Sequence, residues 1–83
     1  MRTDVCARDD ESTQAALLEA LGAIGAVPEN DAPAEVPFPT GLSRFRAGFE
    51  TLTVFVDAWA VDLEGPDELV DRVLQLISTA DRG

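Results

Sequence analysis

The chain has no histidine, lysine or tyrosine, and it has a single cysteine among its 83 residues. These side chains supply most of the general acids, general bases and nucleophiles that enzymes use. Carboxylates, a few hydroxyl groups and Cys6 are what remains for such chemistry. A zinc centre of cysteine and histidine ligands is excluded, because it needs several of those residues. The composition therefore predicts a non-catalytic protein without a metal site or a cofactor.

Positive charge is scarce as well. Six arginines stand against sixteen aspartates and glutamates, which gives a net charge of −10. Because affinity for nucleic acids depends on basic side chains that neutralise phosphates, we expect no direct nucleic-acid binding. The acidity suits a basic partner protein, since complementary charge speeds association. It is also consistent with a surface that only keeps a small protein soluble, or with a GC-rich or salt-adapted proteome, and the sequence leaves this choice open.

Long apolar runs are absent too. The longest one, residues 15–27, is interrupted by Glu19 and is too short to cross a bilayer. The first eleven residues are too polar for the apolar core of a signal peptide. Cys6 has no second cysteine with which to form a disulfide, which fits a reducing compartment. We expect a single domain over residues 1–83 that resides in the cytoplasm and binds no membrane.

Two segments carry the pattern of amphipathic helices. Ser12 or Asp10 can cap the first helix, predicted over residues 12–25. Pro66 opens the second, predicted over residues 66–80, because proline is well tolerated in a first helical turn. In both, the apolar residues recur at helical spacing; they are Leu17, Leu21 and Ile24 in the first helix and Leu69, Val70, Val73, Leu74 and Ile77 in the second.

The remaining segments predict a small antiparallel sheet. Residues 42–63 alternate in polarity and are rich in β-branched and aromatic side chains, which predicts a hairpin. Residues 2–7 alternate weakly and allow an N-terminal strand. Residues 28–41 form an acidic, proline-rich loop in which we expect Phe38 to pack back onto the core. Two helices covering one face of such a sheet make a two-layer α+β sandwich.

The most informative segment for function is the run from residue 52 to residue 63. As one long strand it would place its small residues, Val54, Val56, Ala58 and Ala60, under the helices. Phe55, Trp59 and Val61 would then lie on the open side of the sheet, beside Arg44 and Arg46. The opposite orientation fits the pattern equally well. Twelve residues are long for a strand, so a bulge near residues 57–59 or pairing with another chain is also compatible.

Two functions follow from these patterns. The first is a non-catalytic protein-binding or adaptor module that can dimerise and acts through an aromatic-containing face of the sheet. The residues predicted to bind the partner are Phe55, Trp59, Asp57, Arg44 and Arg46. The alternative is an acidic inhibitor, of the phage anti-defence, immunity or nucleic-acid-mimic type, that occupies the basic groove of a nuclease or another nucleic-acid-binding protein. Its acidic surface would comprise Asp62, Glu64, Asp67, Glu68 and Asp71.

The same acidic stretch resembles a calcium-binding loop only superficially. Gly65 stands at the fourth position from Asp62 rather than at the sixth, and Pro66 blocks the turn that such a loop needs. We therefore expect no metal at this position.

Overall fold

The computed structural model describes residues 1–29 and 35–81 of the chain. Within these residues five strands form one sheet in the order β1-β5-β4-β3-β2, and every neighbouring pair is antiparallel. Both helices pack on the same face of this sheet, so the predicted two-layer α+β sandwich is confirmed. In chain order the elements are β1 (Arg2–Ala7), α1 (Glu11–Ala23), β2 (Val27–Pro28), β3 (Gly41–Ala47), β4 (Glu50–Val56), β5 (Ala60–Glu64) and α2 (Asp67–Asp81).

The helices begin where side chains can satisfy their first backbone N–H groups. Asp10, rather than Ser12, caps α1: its carboxylate accepts hydrogen bonds from the backbone N of Thr13 at 3.0 Å and from the Thr13 hydroxyl at 2.7 Å. These hydrogen bonds hold the pKa of Asp10 below its ordinary value. α2 starts directly after Pro66, and its first turn carries Asp67 and Glu68, which complement the helix dipole.

The core lies between the two helices and the sheet face beneath them. Leu17 and Leu21 of α1 and Val70 and Val73 of α2 are fully buried. They belong to one cluster with the inward-facing residues of the sheet, which are Phe45, Leu52, Val54, Val56, Val61 and Leu63. Burying an aliphatic side chain of this size contributes roughly 1.5–3 kcal/mol. This single cluster fixes which face of the sheet the helices cover.

The run from residue 52 to residue 63 is two strands rather than one, which corrects the sequence-based prediction. The chain reverses at residues 57–59, where the Asp57 carboxylate accepts hydrogen bonds from the backbone N of Trp59 at 2.7 Å and of Ala60 at 2.8 Å. An aspartate that binds the backbone two or three residues ahead stabilises a turn. The prediction of a single strand was therefore wrong, because a side chain supplies the turn without glycine or proline.

This reversal changes which residues share a face. Val61 pairs directly with Val56, and both face the helices. Of the two orientations that the sequence left open, the one with Val54 and Val56 under the helices holds for β4 only. Its placement of Val61 on the open side, and of Ala58 and Ala60 under the helices, was wrong. Ala58 lies in the turn, and Ala60 precedes the buried Val61 on the opposite face.

Two further predictions are confirmed, the N-terminal strand and the burial of Phe38. The N-terminal strand exists and pairs with β5. Phe38 is 2% exposed and packs edge-on against Phe45, with the ring centroids 6.4 Å apart. The loop predicted over residues 28–41 overlaps two strands, because Pro28 pairs within β2 and Gly41 within β3. Residues 30–34 of it lie outside the described part of the chain. Among the described helices, none is long and apolar enough to span a membrane.

Candidate functional site

The sheet has a second face, turned away from both helices, which we call the open face. The strand register arranges its side chains in rows. One row runs across four strands as Arg2, Glu64, Thr53 and Arg44, and the next as Asp4, Asp62, Phe55 and Leu42. A third row, on the other side of the Thr53 row, runs from Thr51 through Arg46 to Val27 at the β2 edge. Among the described elements, none packs against this face.

An arginine is already stacked on the aromatic residue at its centre. The guanidinium carbon of Arg2 lies 4.1 Å from the centroid of the Phe55 ring. Arg2 Nε also donates a hydrogen bond to Asp62 Oδ2 at 3.1 Å. A cation over an aromatic ring contributes about 0.5–1 kcal/mol at an exposed site. These two contacts together hold the Arg2 side chain over the Phe55 ring.

The charges of the open face are divided between its two sides. Three carboxylates lie on β1 and β5, on one side of β4; they are Asp4, Asp62 and Glu64. Two arginines lie on β3, on the other side; they are Arg44 and Arg46. The remaining arginine, Arg2, is paired with Asp62. Between the two sides β4 contributes Thr53 and Phe55, which carry no charge. We call the two sides the acidic half and the basic half.

Apolar side chains lie close to this charged pattern. Leu42 is directly opposite Phe55 and is 58% exposed, and Val27 is also 58% exposed. Isolated exposed apolar residues are common on soluble proteins, but a contiguous apolar patch with a polar rim is typical of an interaction surface. On this face the exposed Leu42 lies beside Phe55, which is half-buried beneath Arg2.

Comparisons with known proteins do not assign this surface. No protein-family model matches the chain. No curated protein and no solved structure matches it either.

The five predicted partner-binding residues are separated by the structure into two places. Phe55, Arg44 and Arg46 lie together on the open face. Asp57 and Trp59 lie in the turn at one end of β4, where Trp59 is 82% exposed. Asp57 holds that turn with its carboxylate, so its side chain has a structural contact. At the opposite end of β4, Phe49 is fully exposed in the β3–β4 turn, a surface position that the sequence pattern did not predict.

The turn at Asp57 predicts a pH dependence of stability. The backbone N–H groups of Trp59 and Ala60 lower the pKa of Asp57 below its ordinary 3.8. A lowered pKa in the folded state stabilises the protein above the unfolded-state pKa, and this stabilisation is lost as the pH falls through the folded-state pKa. We expect Asp57→Ala to lower the melting temperature at neutral pH, with a difference from the native protein that shrinks in acid.

Thermal unfolding of both proteins across the acid range measures this difference. Asp57→Asn is the control, because asparagine keeps an acceptor oxygen and does not titrate. If the difference in melting temperature between Asp57→Ala and the native protein stays constant down to the lowest pH, the Asp57 carboxylate does not stabilise the turn.

The predicted acidic surface is spread over two elements. Glu64, Asp67, Glu68 and Asp71 are exposed at the end of β5 and along the start of α2. Two of the five predicted carboxylates are already engaged: Asp62 by Arg2 and Asp67 by the Met1 ammonium at 3.2 Å. Within the described residues, no group of three or more cysteine or carboxylate side chains is placed to hold a metal ion.

Two further features are weaker candidates. A groove of about 230 Å³ lies between α1 and α2, lined by small and apolar side chains with Glu19 and Thr79 as its polar members. It offers few directional groups with which to orient a ligand. The other feature is Cys6, where burial, and then the charges of Asp10 and Asp4, raise the pKa of the thiol to about 11. The thiol is therefore protonated near neutral pH and is a poor nucleophile.

Proposed function

We propose that this protein is a non-catalytic protein-binding module that docks a partner protein on its open face. The observation that carries the proposal is the Arg2–Phe55 stack, which lies beside the exposed Leu42 on a face that no described element covers. Arginine and aromatic residues are the side chains that most often anchor protein interfaces.

The arrangement around this stack supports the proposal. Protein interfaces commonly have an apolar centre surrounded by charged and polar residues. Here Phe55 and Leu42 are central, while Glu64 and Arg44 lie in the next row on either side of Thr53. The charges at the rim would give specificity and speed association more than they would add affinity.

The proposal also concerns the setting in which the module works. Cys6 is a free thiol, and a single cysteine forms no internal disulfide. A protein that depends on no disulfide is compatible with the reducing cytoplasm, where we place the module.

A matched pair of substitutions tests the docking surface. Leu42→Asp puts a charge into the centre of the open face, and Phe49→Asp makes the same type of change in the distant β3–β4 turn. Both positions are strongly exposed, so we expect both variants to fold. Immobilised native protein, Leu42→Asp and Phe49→Asp are incubated with an extract of the cells that encode the protein, and the captured proteins are identified by mass spectrometry.

We expect one or more proteins to bind the native chain and Phe49→Asp but not Leu42→Asp. Direct titration of the purified partner should then give a weakening of roughly tenfold or more for Leu42→Asp, because a buried unpaired charge is costly. Equal binding to all three chains would contradict the proposal. An equal loss of binding for Phe49→Asp and Leu42→Asp would contradict it as well.

The acidic-inhibitor function makes a different prediction in the same titration. It relies on the exposed carboxylates of β5 and α2, so its affinity would fall steeply with salt and would survive Leu42→Asp. The geometry favours the open face, because Asp62 and Asp67 are already paired within the chain.

A further inference from the structure

We infer that the partner on the open face is a second copy of this chain, in a dimer whose two-fold axis runs along β4. This inference rests on the proposed function, since it requires the open face to be a docking surface. It adds the identity of the occupant and the orientation in which it binds.

The first argument is the charge balance of the open face. The protein carries a net charge of −10, so two copies repel each other across most of their surfaces. The open face is an exception. Its three arginines, Arg2, Arg44 and Arg46, match its three carboxylates, Asp4, Asp62 and Glu64. Two copies can therefore meet at this face without bringing excess negative charge together.

The second argument is the division of that charge into halves. A wholly basic partner would meet Arg44 and Arg46 in the basic half, and a wholly acidic partner would meet Asp4 and Glu64 in the acidic half. A partner whose surface is also divided into an acidic and a basic half can place opposite charges on both halves of the open face. Another copy of the chain has this charge division because its sequence is the same. Two-fold interfaces need such self-complementarity, because the same patch is used by both copies.

The division also selects the direction of the axis. A two-fold rotation about a line along β4, lying in the plane between two facing sheets, carries the acidic half of one copy over the basic half of the other. A rotation about a line across the strands would instead place acidic half on acidic half. Sheets that pack face to face keep their strands within about 30° of alignment, which this axis permits.

The register then names the pair of residues that meet. Glu64 and Arg44 occupy the same row, one strand on either side of Thr53 in β4. Neighbouring strands are about 4.8 Å apart, so both residues are equally distant from the axis. The rotation therefore brings Glu64 of each copy opposite Arg44 of the other, and the ion pair forms twice. Phe55, which lies on β4, meets its own counterpart near the axis.

Charge reversal tests this pairing. In a dimer of this geometry, E64R alone would create two symmetry-related pairs of facing arginines, and R44E alone two pairs of facing glutamates. Each variant should therefore dimerise roughly tenfold or more weakly than the native chain. A mixture of the two variants has complementary charges at both positions. It should form a heterodimer with an affinity close to that of the native dimer, and so should the double variant E64R/R44E.

Sedimentation equilibrium over concentrations up to about 1 mM measures these affinities. Far-ultraviolet circular dichroism checks that each variant is folded. E68R and R72E are the matched controls, because Glu68 and Arg72 are exposed on α2, away from the open face, and we expect their dimers to be unchanged.

Two outcomes would overturn the inference. One is a native protein that remains monomeric throughout, and the other is a dimer that neither E64R nor R44E weakens. In either case the proposed function is judged separately by the Leu42→Asp and Phe49→Asp comparison. The proposed function would stand if a different protein binds the native chain and Phe49→Asp but not Leu42→Asp. It would fail if Leu42→Asp binds its partners as well as the native chain does.

Discussion

Leu63→Ala should lower the free energy of unfolding by about 2–5 kcal/mol, the range measured for buried leucines. Leu63 is fully buried and pairs with Val54 on the sheet face beneath the helices. Truncation removes apolar burial and leaves a cavity that the surrounding side chains fill only in part. For a chain of this length the loss is a large fraction of a total stability on the order of 5–10 kcal/mol.

The matched control is Leu42→Ala. Leu42 lies on the open face and is 58% exposed, so the same substitution should cost less than about 0.5 kcal/mol. Urea unfolding followed by far-ultraviolet circular dichroism measures both variants. Equal losses at the two positions would show that the faces of the sheet are assigned incorrectly, because the β4–β5 reversal is what turns Leu63 toward the helices.

Gln14→Ala should lower the free energy of unfolding by about 2–4 kcal/mol, because it would leave one buried N–H and one partly buried carbonyl unpaired. Gln14 is fully buried on α1. Its Nε2 donates to the carbonyl oxygen of Arg8 at 2.8 Å, and its Oε1 accepts from the backbone N of Phe38 at 2.9 Å. One side chain therefore joins α1 to the turn after β1 and to the loop that inserts Phe38 into the core.

Gln75→Ala is the control for this prediction, since Gln75 is exposed on α2 and is expected to have a near-neutral effect. Urea unfolding again compares the two variants. If Gln14→Ala is as mild as Gln75→Ala, the Phe38 loop is not held by this amide. A large decrease in the free energy of unfolding for Gln14→Ala, with the helical circular dichroism of the folded protein retained, would support the hydrogen bonds to Arg8 and Phe38.

The helices could be predicted from sequence because their signals are local. The spacing of Leu17 and Leu21, and of Val70 and Val73, defines one buried side of each helix without knowledge of the rest of the fold. The start of α1 differed by one residue, because Asp10 and Ser12 are both good caps. In the structure Asp10 is the cap, because its carboxylate accepts the hydrogen bonds from Thr13.

The strands were predicted less well because the turn at Asp57 has no strong sequence signal. Neither glycine nor proline occurs between Leu52 and Leu63, and the alternation of apolar residues continues through the segment. In a continuous strand Val56 and Val61 would face opposite sides. Around a tight turn they pair directly and share the buried face. The two hydrogen bonds of the Asp57 side chain thus reverse the chain, and every residue of β5 faces the side opposite to the one that a continuous strand would give it.

The open face was predicted in part. Arg44, Arg46 and Phe55 share this face in one of the two orientations that the sequence left open, and the register of β3 and β4 selects that orientation. Arg2 was missed, because its contact with Asp62 joins residues 60 positions apart and depends on the pairing of β1 with β5. The separation of acidic and basic halves depends on the strand order, which the sequence pattern does not specify.

The most direct test of the open face as a docking surface is an amide NMR spectrum of isotope-labelled protein. It is recorded in dilute buffer, at rising protein concentration, and in a cell extract. The account predicts shifts or broadening for residues of the open face, such as Arg44, Thr53 and Phe55, while exposed residues of α2, such as Glu68 and Arg72, stay unchanged. Changes confined to α2, or no change in concentrated protein and in extract alike, would contradict it.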